Sequence, residues 1–217
     1  MDGTLVDSEK VWDVALHELA AHAGGTLSHA ARVAMVGSSM KVSMQILRDD
    51  LGQPDRDEPA DIAWIENRVA DLFAGGLVWR PGAMELLHAV RAAGIPTALV
   101  TSTGRRLVEV ALETLGRDSF DAVVCGDEVK APKPDPAPYR TAAELLGVPI
   151  TDCVAIEDSP TGLASAVAAG AAVLAVPAEL ELAPTDGVHV RDSLVGVDPV
   201  FLGTLLARAT EAGELTA

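Results

Sequence analysis

With 217 residues, 49% of them apolar, the chain is long enough for one sizeable core, or for one core with a small inserted lobe. Its 32 acidic against 16 basic side chains give a formal charge of −16, which repels nucleic acid and anionic membranes where the only basic groupings are short ones such as GRR at 104–106. No run approaches the ~18 uninterrupted apolar residues of a membrane span, and no basic region followed by an apolar run opens the chain. A soluble, cytoplasmic protein with neither nucleic acid nor membrane among its partners is expected.

The first part of the chain reads as helix. In SEKVWDVALHELAAHAG, Val11, Ala15 and Leu19 recur at spacing four beside Trp12 and Leu16, with Asp7 or Ser8 as the N-cap. Shorter helical runs follow in HAARVAMVG, SMKVSMQILRDDLG and PADIAWIENRVADLFAGG, separated by Gly and Pro. No strand is expected before about residue 79. After RPGAMELLHAVRAAG the character changes to short apolar runs, each followed by an amphipathic helix: IPTALVT, FDAVVCG, DCVAIED and AAVLAVP. That alternation predicts a parallel, doubly wound α/β sheet. Cys125 and Cys153 each fall in such a run and are expected to be buried, reduced core thiols rather than a disulfide framework.

In a sheet of this kind ligands bind beyond the carboxyl ends of the strands. The residues there are polar: Thr101 and Ser102 after ALV, Gly126 and Asp127 after VVC, Glu157 and Asp158 after VAI. Read in order, the polar segments are DGTLVDSE at 2–9, LVTST at 99–103, KPDPAPY at 133–139 and IEDSPTG at 156–162.

These four ordered motifs resemble those of the haloacid dehalogenase superfamily, in the branch with a helical cap inserted after the first motif. The resemblance implies a core of residues 1–8 and 80–217 and an all-α cap of residues 9–79, hinged near Val6–Ser8 and Trp79–Gly82. It implies an Mg²⁺-dependent transfer of a phosphoryl group to an aspartate and then to water, acting on a small phosphorylated metabolite in a monomer or dimer. Asp2 matches the family's acid/base, Thr101 its phosphate-binding hydroxyl with Ser102 beside it, and Lys133 the lysine that neutralises the transferring group. Asp158, supported by Glu157, and the backbone carbonyl of Asp2 match its metal ligands. Read on their own, Asp2 is a terminal residue, Thr101 a turn former, Lys133 a loop lysine and the Glu157–Asp158 pair a solvated acidic loop. An acidic pair after a buried strand fits that last reading poorly, because adjacent carboxylates repel unless a cation sits beside them.

One departure matters. The family's nucleophile stands one residue before the Met that precedes Asp-Gly-Thr's counterpart here, so the position before Met1 carries it, and with it the first strand of the sheet. A start assigned inside the motif is expected, and the chain as given is expected to be nearly inactive. Dehalogenases lack an Asp at position 2. Mutases of the β-phosphoglucomutase type carry a cap arginine three residues after a glycine, where Gly37 is here followed by Ser38, Ser39 and then Met40, with Lys41 next. Ser38, Ser39 and Lys41 are therefore expected to select the substrate in a phosphatase, with a mutase or an inactive phosphate-binding protein as alternatives. The five histidines show no metal spacing, and Trp12, Trp64 and Trp79 are expected in the core.

Overall fold

The computed structural model describes residues 1–178 and 180–214. Four helices come first: α1 (Glu9–His22), α2 (His29–Met35), α3 (Met40–Asp50) and α4 (Glu58–Ala74). α4 shows why these segments coil. Asp57 accepts from the backbone of Ala60 at 3.2 Å, Pro59 occupies the first turn, and Ile65, Val69 and Phe73 repeat at spacing four along the buried face. α1 lies on α4, and α2 on α3, burying Ala15, Leu16 and Leu19 between them. Ser8 takes the N-cap position of α1 but caps nothing, since its hydroxyl donates to Asp2 instead.

The remainder alternates as expected: α5 (Ala83–Ala92), β1 (Ala98–Val100), α6 (Arg105–Leu115), β2 (Ala122–Val124), α7 (Ala137–Leu146), β3 (Val154–Glu157), α8 (Pro160–Ala169), β4 (Ala172–Ala175), β5 (Val188–Val190) and α9 (Pro199–Glu214). The pairings among these five strands are all parallel, with Leu99 opposite Val123, Ile156 opposite Leu174 and Leu174 opposite His189. The α/β architecture with parallel strands is therefore established.

The strands form two pieces, β1–β2 and β3–β4–β5. Between β1 and β3 runs a cavity of about 440 Å³ lined by Leu5, Leu86, Leu99, Tyr139, Ala155 and Leu202. Strands β1 and β3 thus face each other across apolar space rather than across a ladder, although both lie inside the core. Cys125 is buried as expected, but Cys153 is only half-buried, because it precedes β3 at the end of a short helical turn, Ile150–Asp152, on the protein's periphery. The three tryptophans are half-buried and pack at the edge of the largest core cluster.

Candidate active site

Residues 1–8 make a tight turn that ends beside the strand tips. The N–H groups of Leu5 and Val6 both donate to the Met1 carbonyl, at 2.8 and 3.3 Å, and Gly3 donates to Val6 at 2.9 Å. Gly3 adopts φ +67°, a left-handed conformation that glycine takes without strain. The turn holds Asp2 among four donors. Ser8 and Trp12 donate to its Oδ1 at 2.6 and 3.3 Å, and Thr103 and Thr101 to its Oδ2 at 2.8 and 3.4 Å.

Two loops after β1 and β2 are tied together next to it. Gly126 donates to the Thr103 carbonyl at 3.1 Å, and Asp127 accepts from Arg105, the first residue of α6, at 3.0 Å. A Cβ on Gly126 would stand 2.1 Å from the Ser102 carbonyl oxygen, so only glycine permits this approach.

Lys133 spans the ends of β1 and β3. Its ammonium donates to the Val100 carbonyl at 3.1 Å and to Oε1 of Glu157 at 2.6 Å, and it lies 3.4 Å from the Tyr139 hydroxyl. Tyr139 also donates to Oε1 of Glu157 in a very short contact, while the Asp158 N–H donates to Oε2 at 3.3 Å. Asp158 in turn accepts the Thr4 hydroxyl at 2.6 Å.

These contacts set the charges. Burial alone would raise Glu157, but the Lys133 ammonium and the two hydrogen bonds outweigh it and hold the carboxyl below its ordinary range. Among the described residues no cation is bonded to Asp158. Burial, and then the neighbouring Glu157 charge, push it up to about 6 despite the Thr4 hydroxyl and the Met1 amino group. The Tyr139 phenol is driven well above its ordinary value by burial and by Glu157.

All nine residues singled out in the sequence line one cavity of about 460 Å³: Asp2, Thr101, Ser102, Lys133, Glu157 and Asp158 from the strand ends, Ser38, Ser39 and Lys41 from the loop and first turn before and within α3. Glu9, Trp12, Arg32, Met35, Met44 and Glu66 complete its helical wall. Thr4, Thr103 and Tyr139 carry no role legible in the sequence, and Ser8 only that of a helix cap. Thr103 and Tyr139 lie in the quoted LVTST and KPDPAPY segments, so position beside a motif was the available signal.

The chain belongs to the haloacid dehalogenase-like hydrolases: residues 1–170 match that family. It is 34% identical to Protein CbbY of Rhodobacter capsulatus over 189 residues, covering 82% of this chain and 83% of that one. It is 32% identical to hexitol phosphatase A of Escherichia coli over 185 residues, covering 82% and 81%. Among solved structures, a mutant CbbY of Rhodobacter sphaeroides in complex with xylulose-(1,5)bisphosphate superposes with a TM-score of 0.82 at 28% identity, covering 93% of this chain and 96% of that one.

The divalent ion that this family implies can be tested against the residues present. No three His, Cys, Asp or Glu side chains cluster as a ready metal group among the described residues. What the site offers is two adjacent buried carboxylates, Glu157 and Asp158, 4% and 7% exposed. The space at Asp158 Oδ2 exists only because residue 3 has no side chain, since a Cβ there would lie 2.1 Å away. A sparse all-oxygen set suits Mg²⁺, which keeps several waters and takes one or two carboxylates together with substrate phosphate.

Proposed function

We propose that this protein is a phosphatase of small phosphorylated sugars or polyols, working through an aspartyl-phosphate. The observation that carries the reading is the position of Lys133. Its ammonium touches the last residue of β1 and the last residue of β3, at the mouth of the apolar slot between them and in the same cavity as Asp2 and Asp158. A parallel strand of about five residues fits such a slot. We infer that the segment preceding Met1 supplies it, with a carboxylate at its end beside Lys133.

That carboxylate attacks phosphorus, and the bond from phosphorus to the sugar oxygen breaks as Asp2 gives the leaving oxygen a proton. Asp2 then takes a proton from a water that attacks the aspartyl-phosphate, releasing phosphate and restoring the aspartate. Lys133, the Thr101 hydroxyl and the Ser102 loop hold the non-bridging oxygens. Mg²⁺, held by Asp158 and Glu157 with the Asp2 carbonyl, would neutralise charge on the phosphoryl group. Ser8, Trp12 and Thr103 keep the Asp2 carboxylate aimed into the cavity.

The substrate class follows from the helical wall. Glu66 and the Arg32-paired Glu9 place carboxylates there, which accept substrate hydroxyls. A cavity of about 460 Å³ is also roomy for a two-carbon phosphorylated acid. The relatives include both a hexitol phosphatase and a phosphoglycolate phosphatase, so the cavity carries this choice. The helical segment 9–79 would act as a cap that excludes water; its two connections pair with each other, Asp7 donating to Val78 and Arg80 to Leu5 at 2.8 Å each. A mutase would need a cation to turn a sugar bisphosphate over, and Lys41 lines the cavity.

The test is phosphate release from a panel of hexitol phosphates, aldose and ketose phosphates and phosphoglycolate, with and without Mg²⁺. It is run on the chain as given and on the chain carrying its in-frame upstream residues. The longer form should turn over polyol or sugar phosphates faster by several orders of magnitude, and Asp158→Ala should abolish this. Equal rates for the two forms would refute the assignment of the nucleophile, and undiminished turnover in excess chelator would refute the metal. Phosphosugar isomerisation in place of phosphate release would make the protein a mutase.

A further inference from the structure

Tyr139 is the single tyrosine of the chain. Its ring lies under the Lys133 ammonium, 4.9 Å from Nζ to centroid, in the geometry of a cation–π contact. It is held there in an apolar cluster with Ala155, Leu163 and Ala166. Its hydroxyl joins two charged groups at once, donating to Oε1 of Glu157 and accepting from Lys133 at 3.4 Å.

A lysine ammonium has three protons to donate. Here each has a partner: Glu157 at 2.6 Å, the Val100 carbonyl at 3.1 Å and Tyr139 at 3.4 Å. The first two are short and fix the ammonium between the ends of β1 and β3. The third is the longest and therefore the one an incoming anion displaces most easily. Glu157, for its part, receives both Lys133 and Tyr139 on Oε1, which leaves Oε2 with the Asp158 N–H at 3.3 Å. Without the phenol, Oε1 would lose one of its two donors and the carboxylate could rotate, taking the lysine with it.

We propose that Tyr139 is a positioning residue for phosphate binding. It locks Glu157 so that two of the lysine's protons stay committed, and it yields the third to a phosphoryl oxygen. The inference rests on the phosphoryl-transfer reading of this cavity. A tyrosine that merely filled space would do so equally well without its hydroxyl.

Because Tyr139 is unique, 3-fluorotyrosine supplied during expression labels this position alone, and its ¹⁹F resonance reports on the lysine above the ring. Inorganic phosphate is titrated in the presence of Mg²⁺ by calorimetry into the chain, Tyr139→Phe and Lys133→Met, and by ¹⁹F resonance into the labelled chain. Phosphate affinity should fall about tenfold in Tyr139→Phe, the loss of one hydrogen bond to a charged group. The thermal midpoint should stay within a few degrees, and the labelled resonance should move on phosphate addition. Phosphate binding within twofold of the unsubstituted chain in a folded Tyr139→Phe overturns the proposal. If Tyr139→Phe does not fold, the labelled chain decides the matter, since it keeps both ring and hydroxyl: a resonance unmoved by saturating phosphate overturns the proposal. If neither the unsubstituted chain nor its form with the upstream residues binds phosphate, the phosphoryl-transfer reading fails by itself. The positioning arrangement is then judged on ligand-free protein, where a ¹⁹F resonance unchanged by Lys133→Met refutes it and a shifted one upholds it.

Discussion

Gly3 and Asp158, distant in the chain, are so close in the fold that a Cβ on Gly3 would stand 2.1 Å from Oδ2 of Asp158. Gly3 also has φ +67°, so alanine there meets two penalties, a side-chain collision and a left-handed backbone. Gly3→Ala should lower stability by about 2 kcal/mol or more and push Asp158 off the place where it could meet a cation. Thermal melts with and without Mg²⁺ check both: the substituted chain should melt earlier and gain less from the ion. An unaltered Mg²⁺ response would mean that Asp158 does not face Gly3 in solution.

The pH dependence of stability follows from the same carboxylate. Asp158 is pushed from its ordinary 3.8 up to about 6, chiefly by burial. Between roughly pH 4 and pH 6 the folded chain keeps a proton that the unfolded chain has released, so stability falls as pH rises through that window and levels off above it. The full loss is on the order of 2–3 kcal/mol. Asp158→Asn removes the charge and should be the more stable protein above pH 6, with no difference below pH 4. Bound Mg²⁺ should cancel the penalty, so its stabilising effect should grow from pH 5 to pH 7 as the proton stops competing. Chemical denaturation at several pH values measures this, and a flat difference between the two chains would disprove it.

Much of this arrangement was legible in the sequence because it depends on local order along the chain. Each apolar run followed by a polar pair became a strand tip, and α8 begins at Pro160 behind its cap Ser159. What was not legible depends on distance through space. β5 has a histidine at its centre and half-exposed flanks, so it lacks the apolar signal that marked the other strands. Ser8 carries a capping residue's chemistry, yet Asp2 competes successfully for its hydroxyl. Tyr139 reads as an ordinary helix residue until the fold places Glu157 against its hydroxyl.

The helical wall holds a buried ion pair whose two members depend on each other. Arg32 donates to Oε2 of Glu9 at 2.9 Å and to the half-exposed Asp13 at 3.1 Å, and both Arg32 and Glu9 are buried. Arg32→Met removes the cation beside the buried Glu9 carboxylate, at a cost of about 3–5 kcal/mol. Combining it with Glu9→Gln should restore most of that loss, because a neutral pair of similar volume needs no counter-charge. Denaturant midpoints of the two single and one double variant form the cycle. Additive effects would show that the two residues do not depend on each other.

Lys41 governs the last prediction, which concerns choice among substrates. It occupies the second position of α3, where the helix dipole disfavours a cation. Its side chain has no hydrogen bond or ion pair among the described residues, and it lines the cavity with Ser38 and Ser39. An unpaired ammonium facing a cavity attracts whatever negative charge the substrate carries away from the reacting phosphate. Lys41→Met should therefore weaken turnover of sugar bisphosphates relative to polyol monophosphates, with about a tenfold change in the ratio of kcat/KM values, a shift of ~1.4 kcal/mol. Lys41→Arg should preserve the ratio, since charge and reach are kept. Ser39→Ala should cost well under 1 kcal/mol, because its capping contact to Val42 is long at 3.5 Å. Competition assays on the two substrate classes with the extended chain measure the ratio directly. An unchanged ratio in Lys41→Met would remove Lys41 from the groups that select the substrate.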